Sequence, residues 1–198
     1  MTAPPEVGAG AWKRRFWPGT ALLTLVGFLG RALYLVASKV DHESTFRQGD
    51  AFWYSSVAIA TSDGHAFTNP FFGVPTADHP PFTVVVLTPV AWVFGSSTFA
   101  QRMAMVVVGA ATIAVVAAAG RRLAGPRVGL VAGALCAASP ALWINDVLIM
   151  SETLTAFAVA VVLLLGIRLA EAPTLRRAVA LGAVCGLAAL TRAETGLF

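Results

Sequence analysis

The chain has 198 residues, of which 57% are hydrophobic and only 12% charged, and its mean hydropathy is +0.75; a soluble domain carries about 25% charged residues. That composition excludes a globular domain surrounded by water. The net charge of +4 and the pI near 9.7 come from short basic clusters between apolar runs, not from one basic face, which argues against nucleic acid and for positively charged cytoplasmic loops of a membrane protein.

A membrane-crossing helix needs about 20 mostly apolar residues. The first such run, 18–38, is preceded by Lys13, Arg14 and Arg15 and by the interfacial aromatics Phe16 and Trp17. It is too long for a cleaved signal peptide and lacks a small-residue cleavage site, so it reads as a retained anchor. The longest non-apolar stretch, 39–81, comes next. Further spans are predicted over 103–120, 128–144, 147–167 and 178–190. Lys and Arg collect at Lys13/Arg14/Arg15, at Arg121/Arg122/Arg127 and at Arg168/Arg176/Arg177. With all three clusters in the cytoplasm, the N-terminus is inside. The loop over about 39–102, the tight turn at Trp143, Asn145 and Asp146, and the segment near Thr191 are then outside.

The apolar stretch 82–95 contains Pro89 and is short for a span. Were it to cross, both later basic clusters would face outward, so it reads as an interfacial or re-entrant helix. The expected fold is therefore all-α and integral to the membrane: a polytopic transmembrane helix bundle with a large first external loop carrying interfacial helices. Cys136 and Cys185 lie in small-residue apolar stretches and read as small hydrophobes, not as a disulfide or a metal site.

Several polar residues interrupt this pattern. Asp50, Tyr54 and Ala58 stand at i, i+4 and i+8 and share one helix face, with Gly64 as the stop signal. Phe52, Trp53, Val57, Ile59 and Ala60 would supply apolar surface for a helix lying on the outer leaflet. On spacing alone Asp50 reads first as a helix N-cap, with catalysis as the alternative. Asp78-His79-Pro80-Pro81 reads as a rigid turn that fixes where His79 points. Glu152, in Ser151-Glu152-Thr153, sits about one turn inside an apolar helix, where a carboxylate needs a water-filled cavity or a partner. Arg31, Arg102 and Arg192 stand at the expected outer ends of spans; Arg31 could snorkel to the interface, and Arg192 could pair with Glu194.

In order and spacing, Asp50-x3-Tyr54-x3-Ala58-x5-Gly64, His79-Pro80-Pro81-Phe82, Arg102, the Arg-Arg-Leu-Ala-Gly turn at Arg121 and Ser151-Glu152-Thr153-Leu154 resemble the N-terminal part of bacterial C-type glycosyltransferases. The most similar groups are the protein mannosyltransferases and the lipid A aminoarabinose transferases. The resemblance implies transfer of a sugar from a polyprenyl-phosphate donor to a lipid, glycan or protein acceptor on the outer face of the plasma membrane. It places the catalytic base at Asp50, and His79 and Glu152 at the border of the same cavity. Tyr54 falls within the same motif, and Arg31, Arg102 and Arg192 are candidates to hold the departing phosphate.

No cofactor is implied. Asp50, His79 and Glu152 are ligand types that a divalent metal accepts, yet nothing in their spacing requires one. Soluble nucleotide chemistry has no motif here. Relatives of this type are longer, so the end at Phe198, directly after the fifth apolar run, reads as that of a fragment or truncated product. The rival readings are a transporter or flippase for a lipid-linked substrate, which should show internal repeats, and a non-catalytic membrane subunit that would tolerate loss of Asp50.

Overall fold

The structure, a computed structural model, describes residues 9–38, 49–69 and 71–197; the first ten residues of the predicted external loop lie outside that set. Among the described residues the chain forms eight α-helices and a closing 3-10 turn, with one isolated bridge between Thr68 and Pro75. The helices are α1 (Ala9–Ala37), α2 (Asp50–Ser62), α3 (Phe82–Phe94), α4 (Thr98–Ala124), α5 (Pro126–Ala138), α6 (Pro140–Asp146), α7 (Ser151–Glu171) and α8 (Leu175–Ala189), and the 3-10 turn is Ala193–Leu197. Three of them (α1, α4 and α7) are long and apolar enough to cross a membrane, or four spans form if the bent pair α5–α6 counts as one. At about 1.5 Å per residue, α8 is near 22 Å and α3 near 20 Å, both short of a hydrocarbon core of about 30 Å.

Helix boundaries follow local chemistry. Ser97 caps α4 by accepting the Ala100 N–H at 3.2 Å, and Thr174 caps α8 by accepting the Arg177 N–H at 3.3 Å. Arg121 and Arg122 lie in the last turn of α4, where cations meet the negative end of the helix dipole. Gly125, at φ +89°, ends that helix, and Pro126 starts the next. The predicted span 128–144 breaks at Ser139, which is extended because Pro140 follows it, and the two halves meet at 57°. The helix expected from residue 147 begins only at Ser151, after a turn in which Ile149 holds φ +59°.

Helix α4 is the hub and packs on α1, α5 and α7. It meets α5 closely because Gly129 brings no side chain; a Cβ there would overlap the Ala117 carbonyl and the Phe16 ring. One end of the bundle gathers the basic clusters. The Arg121 guanidinium lies 4.6 Å from the Phe16 ring centre, Arg127 lies 5.0 Å from that of Trp12, and Arg122 pairs with Glu171. At the opposite end, here the loop end, the Phe82 N–H donates to the Leu190 carbonyl at 3.0 Å. Helix α4 runs from the loop end to the basic end, so α3 begins and finishes on the same side.

Helices α2 and α3 run side by side, with the Trp92 indole N–H donating to the Ser62 carbonyl at 3.0 Å. Of the five residues expected to lie on lipid, Val57 is buried and Phe52, Trp53, Ile59 and Ala60 are partly buried. Tyr54, Val57 and Ala58 are buried with Val84, Leu87, Met105, Ile149 and Leu154 in the main hydrophobic cluster. Gly64 closes α2 at φ +94°, as its position predicts.

A second difference concerns Asp146. The exposed turn expected at Trp143, Asn145 and Asp146 is instead helix α6, and Asp146 is 3% exposed. The Arg31 Nε donates to its Oδ2 at 2.7 Å and the Thr153 hydroxyl to its Oδ1 at 2.9 Å. The carboxylate fits because residue 109 is glycine; a Cβ on Gly109 would overlap it. Gly109→Ala should therefore break the pair and destabilise the protein by about 3–5 kcal/mol, read as a lower thermal unfolding temperature in detergent micelles; an unchanged temperature would show that the pair carries no stability.

Candidate active site

The loop end brings together side chains that lie far apart in sequence. Asp50 is the first residue of α2, preceded by Gly49 at φ +85°. No side chain caps this helix, so Asp50 is not its N-cap; its carboxylate stands 55% exposed at the positive end of the helix dipole. The His79 Nε2 lies 3.7 Å from Asp50 Oδ1. Pro80 and Pro81 lead directly into α3 and hold the approach of His79 fixed. The imidazole is wedged against Trp53, edge to face with ring centres 4.5 Å apart, and against Tyr54 at 5.4 Å. The predicted rigid turn is present, and it aims His79 at Asp50 and not into open solvent.

Tyr54 connects this group to a second one. Its side chain is buried, and burial pushes its hydroxyl above the ordinary tyrosine value. A hydrogen bond with the Ser151 side chain acts in the opposite direction, the charges of Asp50 and Glu152 add to the rise, and Arg192 opposes it. The hydroxyl thus lies within electrostatic reach of both acids and of the cation. Glu152, the second residue of α7, pairs with Arg192, which follows the C-terminal end of α8. The Arg192 Nε also reaches Glu194 at 3.5 Å. Its hydrogen bond to Glu194 and the charge of Glu152 hold the guanidinium above its usual range, and the Glu194 carboxyl is held below its own by its backbone and by Arg192. The Thr155 hydroxyl donates to that of Thr191 at 3.0 Å and ties α7 to the end of α8 just beneath the pair.

The remaining predicted residues are elsewhere. Arg102 is 1% exposed in the early turns of α4 and is not a surface cation. Arg31 is 3% exposed and engaged by Asp146 and by the Gly27 carbonyl. It meets the site only through a cavity of about 200 Å³, whose lining includes Arg31, Gly109, Asn145, Asp146, Glu152 and Thr153. Among the described residues no three His, Cys, Asp or Glu side chains converge as metal ligands; Asp50 and His79 meet, but Glu152 does not join them. Sequence reasoning put Asp146 in an outer turn and Ser151 in a motif but gave neither a part in the site. The available signal was Asp146 itself, an acid between two apolar runs.

The loop end of this all-helical membrane bundle gathers a partly exposed carboxylate–imidazole couple and a carboxylate–guanidinium pair. A family model described as dolichyl-phosphate-mannose-protein mannosyltransferase matches residues 78–198, which is 121 of the 198 residues, and the chain belongs to that family of membrane glycosyltransferases of the GT-C type. The match covers His79, Arg102, Asp146, Glu152 and Arg192 and begins after Arg31, Asp50 and Tyr54. No curated protein and no solved structure matches the chain.

Because the Tyr54 hydroxyl keeps its proton longer in the fold than in the unfolded chain, its sign in stability is clear. Below the ordinary value of 10.0 both states are protonated and this group adds no pH dependence. Above it the unfolded chain releases the proton first, so stability falls as pH rises. Unfolding followed between about pH 9 and pH 11 should show this loss in wild type and a smaller one in Tyr54→Phe; equal slopes would contradict the burial of the hydroxyl.

Proposed function

We propose that the loop end is the active site for transfer of a sugar from a polyprenyl-phosphate-linked donor to an acceptor on the outer face of the plasma membrane. The observation that carries this reading is the convergence on Tyr54 of Asp50–His79 and Glu152–Arg192, supplied by α2, the turn before α3, α7 and the end of α8. In the proposed reaction the Asp50 carboxylate takes the proton of the acceptor hydroxyl. The oxygen forms a bond to the anomeric carbon as the bond from that carbon to the phosphate oxygen breaks, with inversion. The electron pair leaves on the prenyl phosphate. His79 orients Asp50, and Arg192, aimed by Glu152, stabilises the negative charge that develops on the departing phosphate.

The sidedness belongs to the same proposal. The basic end, with Arg121, Arg122, Arg127, Arg168 and Arg177, faces the cytoplasm, which places the loop end outside. An apolar groove of about 480 Å³ beside α1, with Leu23, Val26, Gly30, Tyr34 and Trp143 in its lining, has the chemistry to receive a prenyl chain. The acceptor is a lipid, glycan or protein, and nucleic acid is not a partner. A transporter would carry its substrate along groups lining a path through the bundle, whereas Asp50, about half exposed, and His79, less so, stand at one end of it.

The test is transfer from radiolabelled polyprenyl-phosphate mannose in membranes bearing wild type or Asp50→Asn. Loss of the base should lower transfer by roughly 10²–10⁴-fold at unchanged protein abundance. Retained transfer would return Asp50 to a structural role at the start of α2. Donor movement across sealed vesicles without transfer would favour the flippase reading.

A further inference from the structure

We infer that the buried chain Arg31–Asp146–Thr153 is a positioning device that sets the first turn of α7, and with it the aim of Glu152 and Ser151 into the active site. The inference rests on the proposed site at the loop end and assigns it residues that touch no substrate. Its geometry is closed at every step. The Gly27 carbonyl accepts from Arg31 Nη1 at 3.0 Å, Arg31 Nε donates to Asp146 Oδ2 at 2.7 Å, and Asp146 Oδ1 accepts from the Thr153 hydroxyl at 2.9 Å. Arg31, Asp146 and Thr153 are each 3% exposed or less. Thr153 directly follows Glu152 in the first turn of α7, so a bond that fixes residue 153 also fixes the direction of its neighbours.

The backbone between the two ends of this clamp is strained. Residues 147–150 join α6 to α7, and Ile149 sits there at φ +59° with its side chain wholly buried. A β-branched residue in the left-handed region is rare and persists only where the surroundings over-determine it. The Asp146–Thr153 bond spans this turn from one end to the other. Burial of Val147 and Ile149 in the two hydrophobic clusters holds its middle. A relaxed turn would shift α7 at its first residues, where Glu152 meets Arg192 and Ser151 meets Tyr54. The same cavity touches both Asp146 and Glu152, so the space into which Glu152 would swing is already present.

An ion pair that merely joins helices predicts something different from a positioning clamp, and Thr153 separates the two. Thr153→Val keeps the shape and leaves Arg31–Asp146 intact but removes the hydroxyl. Thr153→Ser restores it. The register of α7 against α8 is read without any donor by placing cysteines at Thr155 and Thr191, whose hydroxyls are 3.0 Å apart, in a background with Cys136 and Cys185 changed to Ala, and measuring disulfide yield in membranes under mild oxidation. Transfer from radiolabelled polyprenyl-phosphate mannose is measured beside it in the same Thr153 variants without the cysteine pair.

The expected result is that Thr153→Val lowers disulfide yield severalfold and transfer by about tenfold or more, while Thr153→Ser restores both to within about twofold. Thr153→Ala, which cannot overfill the site, repeats the test should the valine variant fail to accumulate. Wild-type yield and transfer in Thr153→Val would overturn the inference and leave the proposed function standing. A yield that depends on Thr153, in a protein whose wild type transfers no sugar from this donor, would support the clamp and count against the proposed function.

Discussion

The structure depends on one constraint: a charge buried between apolar helices must find its partner there. Removing one member of a buried pair leaves the other stranded at several kcal/mol, and hydrocarbon supplies no water to soften that loss. Arg31 on α1 and Asp146 at the end of α6 satisfy each other across 115 positions of sequence. Their meeting fixes how α1 sits against the bent pair α5–α6, and it requires α4 to present Gly109 at the point of closest approach. The kink at Ser139-Pro140 turns the end of α6 and brings Asp146 inward.

The two ends of the bundle use charge in different ways. At the basic end, guanidinium groups lie on aromatic faces, bond helix C-terminal carbonyls and pair with Glu171, arrangements that tie α1, α4, α5, α7 and α8 to one another. At the loop end the charged groups remain partly open. Asp50, His79, Glu152 and Arg192 each keep about a third or more of the side chain exposed. Partial exposure limits what such pairs add to stability, and it leaves them accessible to a substrate.

Helices α2 and α3 convert an otherwise exposed loop into a platform. Their apolar faces turn inward onto α4 and α7, so Val57, Val84, Leu87 and Met105 form the support on which Tyr54 and Trp53 rest. His79 enters between those two rings and is held beside Asp50 with few rotamers to lose. Asp50 and His79 are thus positioned by hydrophobic burial below them.

Composition and apolar run length by themselves determined that the chain is a helical membrane protein, because about 20 apolar residues in succession have one favourable environment. Polar residues in motifs and at the ends of apolar runs singled out Asp50, Tyr54, His79, Glu152 and Arg192, which meet at one end, alongside Arg31 and Arg102, which are buried. Helix stops at Gly64 and Gly125 were also legible, since a residue needing positive φ is marked by its type. What the sequence left open was direction. Which side of α2 would be buried was not marked, and packing against α3 and α4 put Tyr54, Val57 and Ala58 inside. Arg31 and Asp146 each looked like an end-of-span residue, because a local pattern cannot show that two distant charges will be buried against each other. Tertiary structure decided that pairing: the desolvation of each charge is offset only by the other, and the two come within reach only once α1, α4 and the bent pair have packed.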